Sequence, residues 1–145
     1  MEEGRVKKKE IGDEYDFKTT SDTEVVVALY QLYGINFVEK LHGIFSFAIY
    51  DFEKQELFLV RDRNGVKPLY YFLKESTIAF ASELRPLMKL PNFDFTLNNE
   101  AIQLMLSLDY VPSPMSIFKY VHKLEPGSLL RYKIESLHGV GSSKL

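Results

Sequence analysis

A mainly polar and charged segment of sixteen residues opens the chain, and from Phe17 onward two hydrophobic patterns take turns. Ser21-Asp22-Thr23-Glu24 has the form of a capping box, with Ser21 placed to accept the Glu24 N–H and Glu24 placed to reach back. The mostly apolar run Val25 to Tyr33 predicts a helix behind it, and Gly34 stands where a left-handed residue would end that helix. Asn36 with Glu39 repeats the start signal for a short second helix that stops near Gly43.

The period then changes. Ile44-Phe45-Ser46-Phe47-Ala48-Ile49-Tyr50 is aromatic and branched without helical spacing, which predicts a strand buried on both faces. Asp51 to Gln55 make a polar turn, and Glu56 to Arg61 give a second strand. Asn64-Gly65 supplies positive-φ turn residues, and Pro68 closes that turn. Leu69 to Phe72 and Ile78 to Ala81 are the third and fourth strands, around a polar loop from Lys74 to Thr77. Connections this short make neighbours antiparallel, so the middle of the chain is expected to be an antiparallel meander.

Helical signals return at Arg85-Pro86-Leu87-Met88, with Pro86 tolerable in a first turn. A clearer helix is predicted from Asn99 to Leu108. Its stripe of Ala101, Leu104, Met105 and Leu108, widened by Ile102 and Leu106, calls for a sheet or helix to lie against. Val111-Pro112-Ser113-Pro114 breaks the chain, Glu125-Pro126-Gly127 is a turn, and Ser128 to Ile134 form a last strand. The sequence thus divides into a polar segment over 1–16, a folded region over 17–134 and a Gly/Ser-rich, flexible tail over 135–145. Helices around antiparallel sheet define an α+β domain, most simply with helices packed outside stacked sheets.

Composition narrows what such a domain can do. Eighteen Lys and Arg against 20 Asp and Glu leave a net charge of -2, which argues against a duplex nucleic-acid binder. The cysteine count is zero, which excludes a disulfide framework, a zinc ribbon, an iron–sulfur site and a cysteine nucleophile together. No stretch approaches the length of a membrane span, and the mixed-charge start is neither a signal nor a transit peptide. The expected address is cytoplasmic. The closing Ser143-Lys144-Leu145 matches a peroxisomal tripeptide, which is the alternative, though three residues match easily by chance.

Four features invite chemistry, and each has a plainer reading. His42, His122 and His138 show no pair at ligand spacing, so surface or capping histidines are favoured over a metal site. Gly139-Val140-Gly141-Ser142-Ser143 lacks the spacing of a phosphate loop and precedes no helix. The hairpin Arg61-Asp62-Arg63-Asn64-Gly65-Val66-Lys67 followed by Pro68-Leu69-Tyr70-Tyr71 could bind phosphate or stack bases. Its nearly balanced charge favours a structural turn in which Asp62 pairs with a neighbouring arginine. Asp22 is the most ambiguous. As the first residue of a helix it is stabilised by unpaired N–H groups and the dipole without any ligand, and from the residues alone that role leads. It could equally hold a substrate ammonium group.

Several motifs in order resemble one family. Phe17-Lys18-Thr19-Thr20-Ser21-Asp22-Thr23-Glu24, Leu41-His42-Gly43-Ile44-Phe45-Ser46-Phe47-Ala48, the Arg61 to Tyr71 hairpin and Phe80-Ala81-Ser82-Glu83-Leu84 resemble the class II glutamine amidotransferase domain. Within that group, Asp109-Tyr110-Val111-Pro112-Ser113-Pro114 with Ile117-Phe118-Lys119 is similar to glutamine-hydrolysing asparagine synthetase. Lys123-Leu124-Glu125-Pro126-Gly127 followed by Leu130-Arg131-Tyr132 supports the same choice, and the resemblance covers about Phe17 to Lys133.

The resemblance implies part of an N-terminal-nucleophile hydrolase fold, a four-layer αββα sandwich with antiparallel sheets. It implies a reaction in which an N-terminal cysteine attacks the amide of glutamine, its own amino group acting as base. A glutamyl thioester forms, ammonia leaves, and water releases glutamate, while backbone and asparagine donors hold the oxyanion. ATP, with magnesium, is expected only in a separate synthetase half that converts aspartate to asparagine; no cofactor is expected in this chain. The family's nucleophile, substrate-carboxylate arginine and oxyanion pair would lie before the matched region, so none maps here. Of its site residues only Asp22 does, as partner of the glutamine ammonium, which raises that reading above the capping one. Glutaminase turnover is therefore not expected of this chain alone. Implied partners are glutamine once the remaining segment is supplied, a separately encoded N-terminal or synthetase part, or a second copy, with no nucleic acid and no membrane. The alternative is a non-catalytic binding or regulatory module that keeps the fold.

Overall fold

Helix signals, strand signals and turn residues fall mostly where the sequence puts them, but the strands join in a different order. The structure is a computed structural model and describes residues 15–134 and 140–144. Its contacts divide the chain into two units, 1–43 and 44–145.

In the first unit, helix α1 spans Asp22–Tyr33 and buries Val25, Ala28 and Leu29, one face of a 3.6-residue period. Gly34 ends it at φ 62 and ψ -164, a conformation outside the left-handed helical well and essentially confined to glycine. The second helix predicted from Asn36 is a 3-10 helix over Gly34–Lys40 that buries Phe37 and Val38.

The second unit holds two antiparallel sheets. Strands β1 (Ser46–Asp51), β2 (Glu56–Arg61), β6 (Ser128–Lys133) and β7 (Val140–Lys144) form one in the order β1-β2-β6-β7. Strands β3 (Tyr70–Lys74), β4 (Thr77–Ala81) and β5 (Val121–Lys123) form the other in the order β4-β3-β5. Leu57 and Leu59 of β2 with Leu130 and Tyr132 of β6 make a core with Leu69 and Leu124, against which Tyr71, Leu73 and Ile78 of the second sheet pack. The opposite face of that second sheet carries Phe72 and Val121 into a core with Leu87, Phe93 and Phe118, closed by the short helix α2 (Leu84–Leu87) and its loops.

Four expectations need correcting. The meander does not exist as such: β1–β2 and β3–β4 are hairpins of different sheets, and β6 takes the place beside β2 that β3 would have had. The Asn64-Gly65 to Pro68 loop carries the chain from one sheet to the other. The strand buried on both faces is β2, buried at all six positions, whereas β1 is half-buried at each of its six and, among the described residues, has a neighbour on one side only. Helix α3 (Asn99–Leu108) forms over the predicted residues and is capped by Asn98, which accepts the Ala101 N–H at 3.2 Å. It buries Ala101 alone, however, and leaves Leu106 77% and Leu108 47% exposed, so its stripe is covered at one end. Residues 140–144, placed by composition in a flexible tail, instead pair with β6, which gives their backbone groups partners that side-chain composition does not reveal. His138 lies outside the described residues, as does Leu145 of the terminal tripeptide.

Candidate functional site

Asp22 is the first residue of α1, and the segment before it is wound tightly around Glu24. The Lys18 and Thr19 N–H groups each donate to the Glu24 carboxylate at 2.7 Å, and the Thr19 hydroxyl donates to it at 2.5 Å. The Ser21 N–H in turn donates to Thr19 Oγ1 at 3.2 Å. Ser21 is the cap, but its hydroxyl accepts from the Thr23 N–H at 3.2 Å instead of from Glu24. The reciprocal box expected from Ser21 and Glu24 therefore does not form. Glu24 reaches past Ser21 and closes the loop 18–24, because two adjacent N–H groups and a hydroxyl together offer a carboxylate more than one N–H does.

This arrangement separates two roles that the sequence left merged. Ser21 caps the helix and Glu24 fixes the loop, while the Asp22 carboxylate is exposed and makes no hydrogen bond or ion pair among the described residues. A charge held on a shaped loop at the positive end of a helix can receive an ammonium ion without first releasing a partner.

The segment with three cations, expected as a hairpin, is a structural crossing between the two sheets. Asp62, 1% exposed, accepts from the N–H groups of Phe45, Asn64 and Gly65 at 3.1, 2.8 and 2.9 Å. Its expected arginine partner is turned elsewhere: Arg61 donates to the carbonyls of Lys67, Leu124 and Gly65 at 2.9, 2.5 and 2.6 Å. Both charges are spent on the backbone of the sheet-to-sheet crossing. His122 is half-buried against the Tyr71 ring, 5.2 Å between centroids, and burial pushes its imidazole below the ordinary value. Burial pushes the Tyr71 phenol up, with the nearby Glu125 charge adding to it. His42 is exposed, and among the described residues no three histidine or carboxylate side chains are placed to hold a metal ion. No helix among them is long and apolar enough to cross a membrane.

A family profile described as "Glutamine amidotransferase domain" matches residues 4–139. The chain belongs to the glutamine amidotransferase domain family. Asparagine synthetase [glutamine-hydrolyzing] 1 of Bacillus subtilis is 41% identical over 114 residues, which are 79% of this chain and 18% of the relative. Putative asparagine synthetase [glutamine-hydrolyzing] 2 of Methanocaldococcus jannaschii is 36% identical over 120 residues, 81% of this chain and 23% of the relative. The amidotransferase chain thus spans about a fifth of the curated relatives it matches. A solved glutamine phosphoribosylpyrophosphate amidotransferase from B. subtilis superposes with a TM-score of 0.60 at 21% identity, over 99% of this chain and 26% of that one. That likeness establishes the fold: α+β with antiparallel sheets, part of the N-terminal-nucleophile hydrolase fold.

Proposed function

We propose that this amidotransferase chain contributes the ammonium-binding corner of a glutaminase site whose ammonia serves the making of asparagine from aspartate. One observation carries the reading: Asp22 stands free and exposed on a loop that Glu24 holds in shape, in a chain 41% identical to an asparagine synthetase. An exposed carboxylate there is the complement of the glutamine α-ammonium group. The 145 residues contain no cysteine, so the chain by itself offers no thiol for attack on the amide. Turnover requires a thiol from outside these 145 residues, and asparagine formation requires a synthetase part, to which ATP and magnesium belong.

Two measurements test this. The purified chain with glutamine should release no more ammonia than a heat-treated control, and turnover surviving repurification would refute the division of labour. Supplied with the N-terminal portion of a relative's glutaminase domain, the chain should bind glutamine in a calorimeter. Asp22→Asn should then weaken binding by about 2–5 kcal/mol, the loss expected when a charge pair is broken in a closed site. Unchanged affinity would leave Asp22 a helix-terminal charge and nothing more.

A further inference from the structure

Of the five asparagines in the chain, Asn64 alone is followed by glycine. Such a pair is open to a reaction of the backbone on a side chain. With no β-carbon on the second residue, its amide nitrogen can close on the asparagine carboxamide without steric hindrance. The Asn64 side chain stands in solvent on the crossing between β2 and β3, and its carboxamide makes no hydrogen bond among the described residues.

What holds the nucleophile back is the fold of the crossing. The Gly65 N–H donates twice, to Asp62 Oδ1 at 2.9 Å and to the Asp62 carbonyl at 3.1 Å. The Gly65 carbonyl accepts from Arg61 Nη2 at 2.6 Å, and the Pro126 ring fills the space beside the Gly65 α-carbon. The nitrogen attacks only once it gives up its proton, and the buried Asp62 charge beside it opposes the anion that would form. Ring closure also draws the nitrogen toward the Asn64 side chain and away from both of its acceptors.

We propose that Asn64 is a self-modification site, silent while the crossing is closed and reactive whenever it opens. The Gly65 nitrogen bonds to Asn64 Cγ, the bond from Cγ to the side-chain nitrogen breaks, and ammonia leaves with the proton from Gly65. Water then opens the resulting succinimide at one carbonyl or the other, giving aspartate or isoaspartate at 64. Aspartate sets a second carboxylate beside Asp62. Isoaspartate adds a carbon to the main chain before Gly65, which then cannot meet Asp62, Arg61 and Pro126 all at once. A crossing that has opened and reacted in this way no longer closes as before, so the product records the opening and makes it permanent. None of this depends on whether the chain binds glutamine.

Peptide mass spectrometry on the full chain, incubated at neutral and mildly alkaline pH, reads the conversion of residue 64, and chromatography separates the two acidic products. A capped peptide of residues 62–67 and the urea-unfolded chain should react at one rate. The folded chain should react about tenfold more slowly or less, the protection expected of an N–H held by a charged acceptor. In urea too dilute to unfold the chain, conversion at 64 should rise in step with hydrogen exchange of the Gly65 amide. That comparison uses the unaltered chain, so it stands however the variant folds. Asp62→Ala should remove most of the protection. A folded chain that converts as fast as the peptide, or conversion that stays flat while Gly65 exchange rises, would overturn the proposal. Full protection in Asp62→Ala, or conversion first at Asn36, Asn92, Asn98 or Asn99, would do the same.

Discussion

A β-carbon built on Gly65 would lie 2.5 Å from Cγ and 2.9 Å from Cβ of Pro126, closer than folded chains sustain. Gly65 sits at φ +60 in the loop between β2 and β3, and Pro126 belongs to the turn between β5 and β6. Their approach draws the two connections together, so that the Asp62 carbonyl accepts the Gly127 N–H at 2.8 Å. The crossing between sheets is locked at this point.

Gly65→Ala should accordingly cost about 2–4 kcal/mol, made of roughly 1–2 for a left-handed side-chain residue and roughly 1–3 for overpacking. Urea denaturation measures it. Pro126→Ala removes the Cγ in closest contact, so the double variant should be more stable than the sum of the single costs predicts. Additive costs would mean that backbone strain alone is at work.

Asp62 should behave as a hub for N–H groups and not as an ion-pair partner. In Asp62→Asn one oxygen can still serve Asn64 and Gly65, but an amide group then faces the Phe45 N–H, donor against donor. The expected loss is about 1–3 kcal/mol, and more for Asp62→Ala, which removes the side-chain acceptor of all three N–H groups and leaves Gly65 its second acceptor, the Asp62 carbonyl at 3.1 Å. The amide of Phe45 should exchange fastest of the three in the asparagine variant. A cost that vanished at high salt would instead point to an ion pair.

How much of this was legible depends on the range of each interaction. Helix α3 was readable over Asn99–Leu108 because its apolar stripe is a pattern repeated from one turn to the next. The β2 and β3–β4 segments were readable because strand patterning and turn residues are local. Which strand lies beside β2 was not, because the choice is made by Arg61 reaching Leu124 and Asp62 reaching Phe45, contacts between residues far apart in sequence. At the candidate site, the capping role of Ser21 is legible in the sequence, but Glu24 takes partners other than the one its position suggests. The signal that could have shown this is Thr19, a hydroxyl and an N–H at one position, two residues before the cap.

The loop after α2 is fastened by charge, and its hold should weaken in acid. Lys74 Nζ lies 2.8 Å from Asp94 Oδ2, and its hydrogen bond, helped by those from Thr96, holds the Asp94 carboxyl well below the usual carboxylate range. The same hydrogen bond raises the Lys74 ammonium above its ordinary value. A depressed folded-state value means that the unfolded chain binds more protons at mildly acid pH. The contribution is therefore complete above the ordinary aspartate value of about 3.9 and is lost as pH falls below it. Melting temperatures from pH 7 down to 2 should show this, and Asp94→Asn should flatten part of the acid decline. An unaltered slope would mean that the pair is open in solution.

Glu24→Gln separates the loop from the helix that follows it. The carboxylate gathers the N–H groups of Lys18 and Thr19 and the Thr19 hydroxyl with two oxygens, whereas a glutamine presents one oxygen and an NH2 group. At least one backbone donor is then left facing a donor, at a cost of about 1 kcal/mol in this solvent-exposed setting. Ser21 still caps α1 through the Thr23 N–H, so the helix should keep its ellipticity while the Lys18 and Thr19 amides exchange faster. If Asp22 receives an ammonium group, the loosened loop also spreads its carboxylate over more positions, and glutamine affinity in the completed domain falls although Asp22 is untouched. Loss of helix signal in Glu24→Gln would place Glu24 back in the capping role, with the loop as its consequence.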